Sequence, residues 1–151
     1  MESRVNRKAG SLSPRNGLAT IEFALIAPVF LLLMAGALDY AMSIRTAACL
    51  ADSARSAAQY GSLSVANSAD TAGMASAAKN TSPGITGMSV TATRTCQCSG
   101  GVAVNCTGSC NADKMIVYVQ VVTQATAHTV FEYAQLPFPS LVKGRATMRA
   151  Q

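Results

Sequence analysis

The sequence predicts an α+β fold: a long N-terminal transmembrane helix that runs on past the membrane and packs against a small antiparallel sheet with a cysteine-rich hairpin loop. Three observations lead there. Residues 18–38 form an apolar run interrupted by one charge, Glu22. Residues 39–61 keep a helical period with no breaker, and from Met88 onward the pattern changes to runs rich in β-branched residues.

The chain opens with a polar, basic leader, residues 1–17, in which Gly10, Pro14 and Gly17 oppose regular structure. Its cations Arg4, Arg7, Lys8 and Arg15 face one acid, Glu2. The positive-inside rule places such a cluster on the cytoplasmic side of the span that follows. As a helix, residues 18–38 would cover roughly 31 Å, close to the hydrocarbon thickness of a bilayer. Pro28 would be costly in a soluble helix and is tolerated in a membrane helix. Ala35-Gly36-Ala37 is a weak small-x-small site for a cleaved secretory signal. The helical pattern runs on past it, which fits an anchor better.

In residues 39–61, Ile44, Ala47, Ala48, Ala51, Ala54 and Ala58 fall on one helical stripe, with Arg45, Asp52, Arg55 and Gln59 off it. Such a stripe of small residues admits close approach of another helix, or is an ordinary packing face. The rest, residues 62–151, is read as a small α+β domain. A second short helix is expected over Ala69–Lys79, stopped by Pro83-Gly84 and Gly87. Strands are expected from Met88 to Cys96, from Lys114 to Thr123 and from Val142 to Met148. Residues 96–113 read as a hairpin tip or loop, and Pro137 and Pro139 as breakers before the last strand.

Composition narrows the function. Of 151 residues, 27 are alanine, none is tryptophan, and only 13% are charged, about half the usual share. An alanine core buries little area, so the domain should lean on cross-links or partners. One histidine and seven acidic residues are a thin inventory for catalysis, and no enzyme is expected. The net charge of +5 resides mostly in the leader, and no basic face with interleaved aromatics is apparent. Nucleic acid and small-molecule substrates are therefore not expected partners. His128 lacks a partner motif, and Phe131, Tyr133, Leu136 and Phe138 read as a satellite core under the proline turn.

A carboxylate in an apolar helix is costly in lipid, so Glu22 needs a compensating group or must reach the headgroups from its place near the helix start. The stretch around it, Gly17-Leu-Ala-Thr-Ile-Glu-Phe-Ala-Leu-Ile-Ala-Pro-Val-Phe-Leu-Leu-Leu-Met-Ala-Gly, running on to Ala57-Ala58-Gln59-Tyr60-Gly61, resembles TadE-like minor pseudopilins of the tight-adherence pilus system. The resemblance covers residues 15–61, with the later strands similar only loosely. It implies that a prepilin peptidase cuts between Gly17 and Leu18, with Glu22 and Phe23 as assembly and recognition residues. The new amine at Leu18 would lie one helical turn from Glu22 and could pair with it, within one subunit or between two. Leu18 stands where a type IV pilin usually has phenylalanine, a departure that bears on N-terminal methylation.

The resemblance further implies a single-pass subunit of the bacterial inner membrane, N-terminus cytoplasmic and C-terminal domain periplasmic. Its partners would be other pilin or pseudopilin subunits and the pilus assembly platform, and it would need no cofactor. The reading from another class is an uncleaved, signal-anchored periplasmic scaffold. A cysteine-dependent redox or metal protein ranks last.

Cys96, Cys98, Cys106 and Cys110 cluster within fifteen residues, and Cys49 stands alone in the helix. Their C-x-C and C-x3-C spacings suit zinc poorly. In an oxidising compartment disulfides are expected. Cys96 and Cys98 would share one face of a strand, and of the three connectivities the nested one, 96–110 with 98–106, is favoured. Cys49 reads as a small buried residue or an intermolecular bridge.

Overall fold

The computed structural model describes residues 15–110, 114–127 and 141–151, with side chains from Ala19 onward. Leader residues 1–14, His128 and the expected cluster of Phe131, Tyr133, Leu136 and Phe138 with its prolines lie outside the described residues. The chain divides into two units between Leu38 and Asp39.

Helix α1, Arg15–Ser62, begins in the first unit and ends in the second. In the first unit its large apolar side chains, from Ile21 and Phe23 through Leu33 to Leu38, are all exposed. The helix is long and apolar enough to cross a membrane, by length and composition. Pro28 sits inside it and leaves it continuous.

In the second unit, α1 lies on a four-stranded antiparallel sheet made of β1 (Ser89–Cys98), β2 (Ala103–Val104), β3 (Met115–Thr126) and β4 (Leu141–Arg149), in the order β2-β1-β3-β4. The fold class is α+β, as the change of period predicts. The three expected strands form, each a little longer than its apolar run. The stretch expected as a tip or loop also contributes β2, paired to β1 by Cys96 with Val104 and Gln97 with Ala103.

Strand β3 shows why the sheet has one dry face. Val117, Val119, Val121, Thr123 and Ala125 are buried, while the residues between them are only partly covered. That is the period-2 alternation of a sheet packed on one side. Val119 and Val121 meet Ala57, Ala58, Met74 and Ala78 in the main core, with Tyr60, Val90, Ala92, Ala146 and Met148 around it.

The helix face that meets the sheet is not the predicted one. Leu50, Ser53, Ala54, Ala57, Ala58 and Gly61 are buried, whereas Ile44 is 52% exposed and Ala48 is exposed too. Of the predicted stripe only Ala54 and Ala58 lie fully inside. What approaches this small-residue face most closely is a strand. A Cβ at Gly144 of β4 would strike the backbone of Leu50 and Ala51, so only glycine lets strand and helix backbones meet there. Gly144 pairs with Thr123 across the sheet, and the buried Thr123 hydroxyl donates to the Leu50 carbonyl at 2.7 Å. A second buried polar link joins Ser53 Oγ to Ser82 Oγ at 2.9 Å, and Ser82 in turn donates to the Cys49 carbonyl at 3.2 Å.

Helix α2, Thr71–Thr81, follows a 3-10 turn at Asn67–Ala69 and starts two residues later than predicted because Asp70 caps it. The Asp70 carboxylate accepts from the Gly73 amide at 2.8 Å, satisfying a donor that the first helical turn leaves unpaired. The helix stops just before Ser82-Pro83, where proline disfavours the helical conformation of the residue ahead of it.

Candidate functional site

The residues singled out in the sequence occupy two places. The first is the start of α1. Gly17 and Leu18 lie in its opening turn, already helical, and Glu22 is one turn further on. Glu22 is exposed, and it makes no hydrogen bond or ion pair among the described residues. Phe23 is 73% exposed. The arrangement presents a carboxylate and an aromatic ring outward from a helix that is otherwise apolar from Ile21 to Leu33.

The second place is the β1–β2 hairpin. Cys96 is joined to Cys106, and Cys98 to Cys110. This corrects the nested pairing of 96–110 with 98–106. The reason is where the hairpin turns. The Cys98 amide donates to the Val102 carbonyl and the Gly101 amide to the Cys98 carbonyl, so the chain reverses at Ser99–Gly101, with Gly101 at a φ of 84°. That register sets Cys96 opposite Val104 and Cys98 opposite Val102, which leaves Cys106 diagonal to Cys96 and four residues beyond the position that faces Cys98. Cys96 and Cys106 pack with Val104, Met115, Val117 and Ala150 in a small cluster at this end of the sheet.

Cys49 has a free thiol and is half-buried. It borders a surface pocket of about 400 Å³ together with Arg45, Thr46, Ser82, Ile85 and Thr126. Among the described residues no cluster of three or more His, Cys, Asp or Glu could hold a metal ion.

Two features escaped the sequence reading. Tyr60 donates its hydroxyl to Asp70 at 2.8 Å, latching the end of α1 to the start of α2. The Gly73 amide, then the Tyr60 hydroxyl, hold the Asp70 carboxyl below its ordinary range. The same bond, followed by the charge of Asp70, pushes the Tyr60 phenol up. This latch ties the two helices together. The other missed feature is a column of cations on β4, Lys143, Arg145 and Arg149, all exposed on the sheet face away from α1. Its signal was present in the alternation of Leu-Val-Lys-Gly-Arg-Ala-Thr-Met-Arg.

Residues 17–59 match the family described as TadE-like protein. The chain carries a TadE-like segment. No curated protein and no solved structure matches the chain. The TadE-like match starts at Gly17 itself and ends one residue before Tyr60, so it covers α1 and leaves the sheet outside it. A TadE-like segment points to a pilin-like protein associated with the Tad pilus. The family is structural rather than known for catalysis.

Proposed function

We propose that this chain is a minor pilin-like subunit, a pseudopilin, that primes or enters a Tad-type pilus working in adhesion or secretion. A prepilin peptidase cuts between Gly17 and Leu18, and residues 18–38 hold the subunit in the bacterial inner membrane. The basic leader stays cytoplasmic and the sheet domain lies in the periplasm. Glu22 then serves assembly. Alone in lipid its carboxylate is unfavourable, and in a bundle of subunits it pairs with the amine created at Leu18, its own or a neighbour's. Phe23 packs beside it, and other pilin subunits with the assembly platform are the partners.

The observation that carries this reading is that the TadE-like match begins at the glycine of the leader and runs along a helix whose apolar side chains are exposed. The leader's cations support the orientation. The test is the intact mass of the protein purified from its native membrane. A mass equal to residues 18–151 is the expected result. A mass equal to the whole chain, in cells with an active prepilin peptidase, overturns the proposal and leaves an uncleaved membrane-anchored scaffold.

A further inference from the structure

The sheet has two edges, and they are finished differently. At one, the two-residue β2 pairs only Cys96 and Gln97 of β1 and is followed by cysteines bonded back to β1. At the other, β4 runs for nine residues with no strand beyond it among the described residues. The Ala150 amide donates to the Val117 carbonyl at 2.8 Å, which continues the β3–β4 register and puts the even-numbered residues of β4 in the hydrogen-bonded pairs with β3. In an antiparallel ladder the residues between them turn their N–H and C=O groups the other way. The amides and carbonyls of Leu141, Lys143, Arg145, Thr147 and Arg149 therefore face the open edge.

These are also the residues whose side chains point away from α1. The cationic column and the unpaired backbone thus belong to the same positions, spaced about 6.8 Å apart along the strand. None of the four strands contains an acidic residue. Elsewhere in this unit Asp52 pairs with Arg55, Asp70 is held by Tyr60 and Gly73, and Asp39 is buried. Among the described residues the β4 cations have no counter-charge.

We infer that the β4 edge accepts an antiparallel strand from a different protein, one that places carboxylates opposite Arg149, Arg145 and Lys143 in the pattern acid-x-x-x-acid-x-acid. The backbone supplies the ladder, and the charges choose the partner. The same cations exclude a second copy of this chain. Antiparallel pairing of β4 with itself, centred on Ala146, sets Lys143 against Arg149, and like charges directly opposite are destabilising. The inference does not depend on the pilus role proposed above.

The test uses the full chain in detergent micelles and the labelled nonapeptide Thr-Glu-Val-Thr-Val-Glu-Val-Glu-Thr. Controls are the same peptide with lysine for glutamate, the same peptide N-methylated at alternate amides, and polygalacturonate. The acidic peptide should bind, weaken with salt, and slow hydrogen exchange at the amides of Lys143, Arg145, Thr147 and Arg149, which exchange fast in the protein alone. Replacing Lys143→Glu together with Arg145→Glu should weaken the acidic peptide roughly tenfold by losing two cross-strand pairs. That variant should take up the lysine peptide instead, a gain that an unfolded protein could not give. Equal binding of the N-methylated peptide or polygalacturonate would overturn the inference, leaving a charged patch without strand addition. So would unchanged charge preference in the double variant, or β4 amides already slow to exchange before any peptide is added.

Discussion

Gly144→Ala is the sharpest probe of how α1 is seated. The added Cβ would lie 2.6 Å from the Ala51 nitrogen and nearer still to the Leu50 carbonyl group, where ordinary contact begins at 3.4 Å. Every atom struck is backbone, so no rotamer change relieves it, and helix and strand must part by roughly 1 Å. Overpacking of this kind costs about 1–3 kcal/mol. Retreat would also stretch the 2.7 Å bond from Thr123 to the Leu50 carbonyl beyond useful length, a further loss of about 1 kcal/mol. We expect a destabilisation of about 2–4 kcal/mol, read by denaturant unfolding of the full chain in micelles with disulfides intact. Gly84→Ala is the matched control, since a Cβ there meets nothing within 4 Å. Thr123→Val alone should cost about 1 kcal/mol, and in the Gly144→Ala background nearly nothing, because that bond is already gone. A Gly144→Ala protein within about 0.5 kcal/mol of the parent, or full additivity with Thr123→Val, would refute the seating described here.

Gly61→Ala should be milder than Gly144→Ala in the same unfolding assay, because its Cβ meets the flexible Met74 sulfur at 2.6 Å and the helix gains about 0.5–1 kcal/mol in exchange. The Asp70 latch predicts a pH window. Its depressed carboxyl stabilises the fold above the ordinary aspartate range and loses that contribution as pH falls through the folded value; the raised Tyr60 phenol stabilises below 10.0 and loses its share as pH rises through its folded value. Melting temperature against pH should therefore fall at both ends, and Asp70→Ala should flatten both limbs. Proteolytic mapping without reduction should yield fragments linking Cys96 to Cys106 and Cys98 to Cys110, and intact mass should rise by about four units on reduction.

Much of this architecture is legible because periodicity is local. The alternation in Val117-Tyr118-Val119-Gln120-Val121 puts a strand with one dry face at its observed place, and the apolar run with its alanine-rich continuation describes α1. The buried face of α1 was misread because alanine occurs all round that helix and so does not discriminate between faces. Ile44 drew the stripe toward itself, yet it is exposed, and the contact that fixes the true face is made by Gly144, some ninety residues away. The hydroxyls of Ser53, Ser82 and Thr123 carry no signal in a chain where Ser and Thr are common; only a shared tertiary contact distinguishes them. The cysteine pairing hinged on the position of the hairpin turn. Ser99-Gly100-Gly101 held that information, and the nested pairing ignored it.

The distribution of cross-links follows from how little this core can bury. Its fully buried apolar side chains include four alanines, Ala54, Ala57, Ala58 and Ala78, with Leu50, Met74, Val119 and Val121 the only larger ones among the described residues. A buried leucine or valine contributes about 1.5–3 kcal/mol, and alanine much less. A disulfide closing so short a loop contributes roughly 2–3 kcal/mol, as much as one of the large side chains. The two bridges sit where packing is thinnest, for no residue of α1 or α2 belongs to the cluster around Cys96, Val117 and Ala150. The helices hold the middle of the sheet and the cysteines hold the β2 end. Covalent closure leaves the β2 end of the sheet unsuited to strand exchange, while among the described residues β4 is guarded by charge. Charge, unlike a disulfide, can be neutralised by a partner of opposite sign, so β4 is the edge at which the sheet can grow.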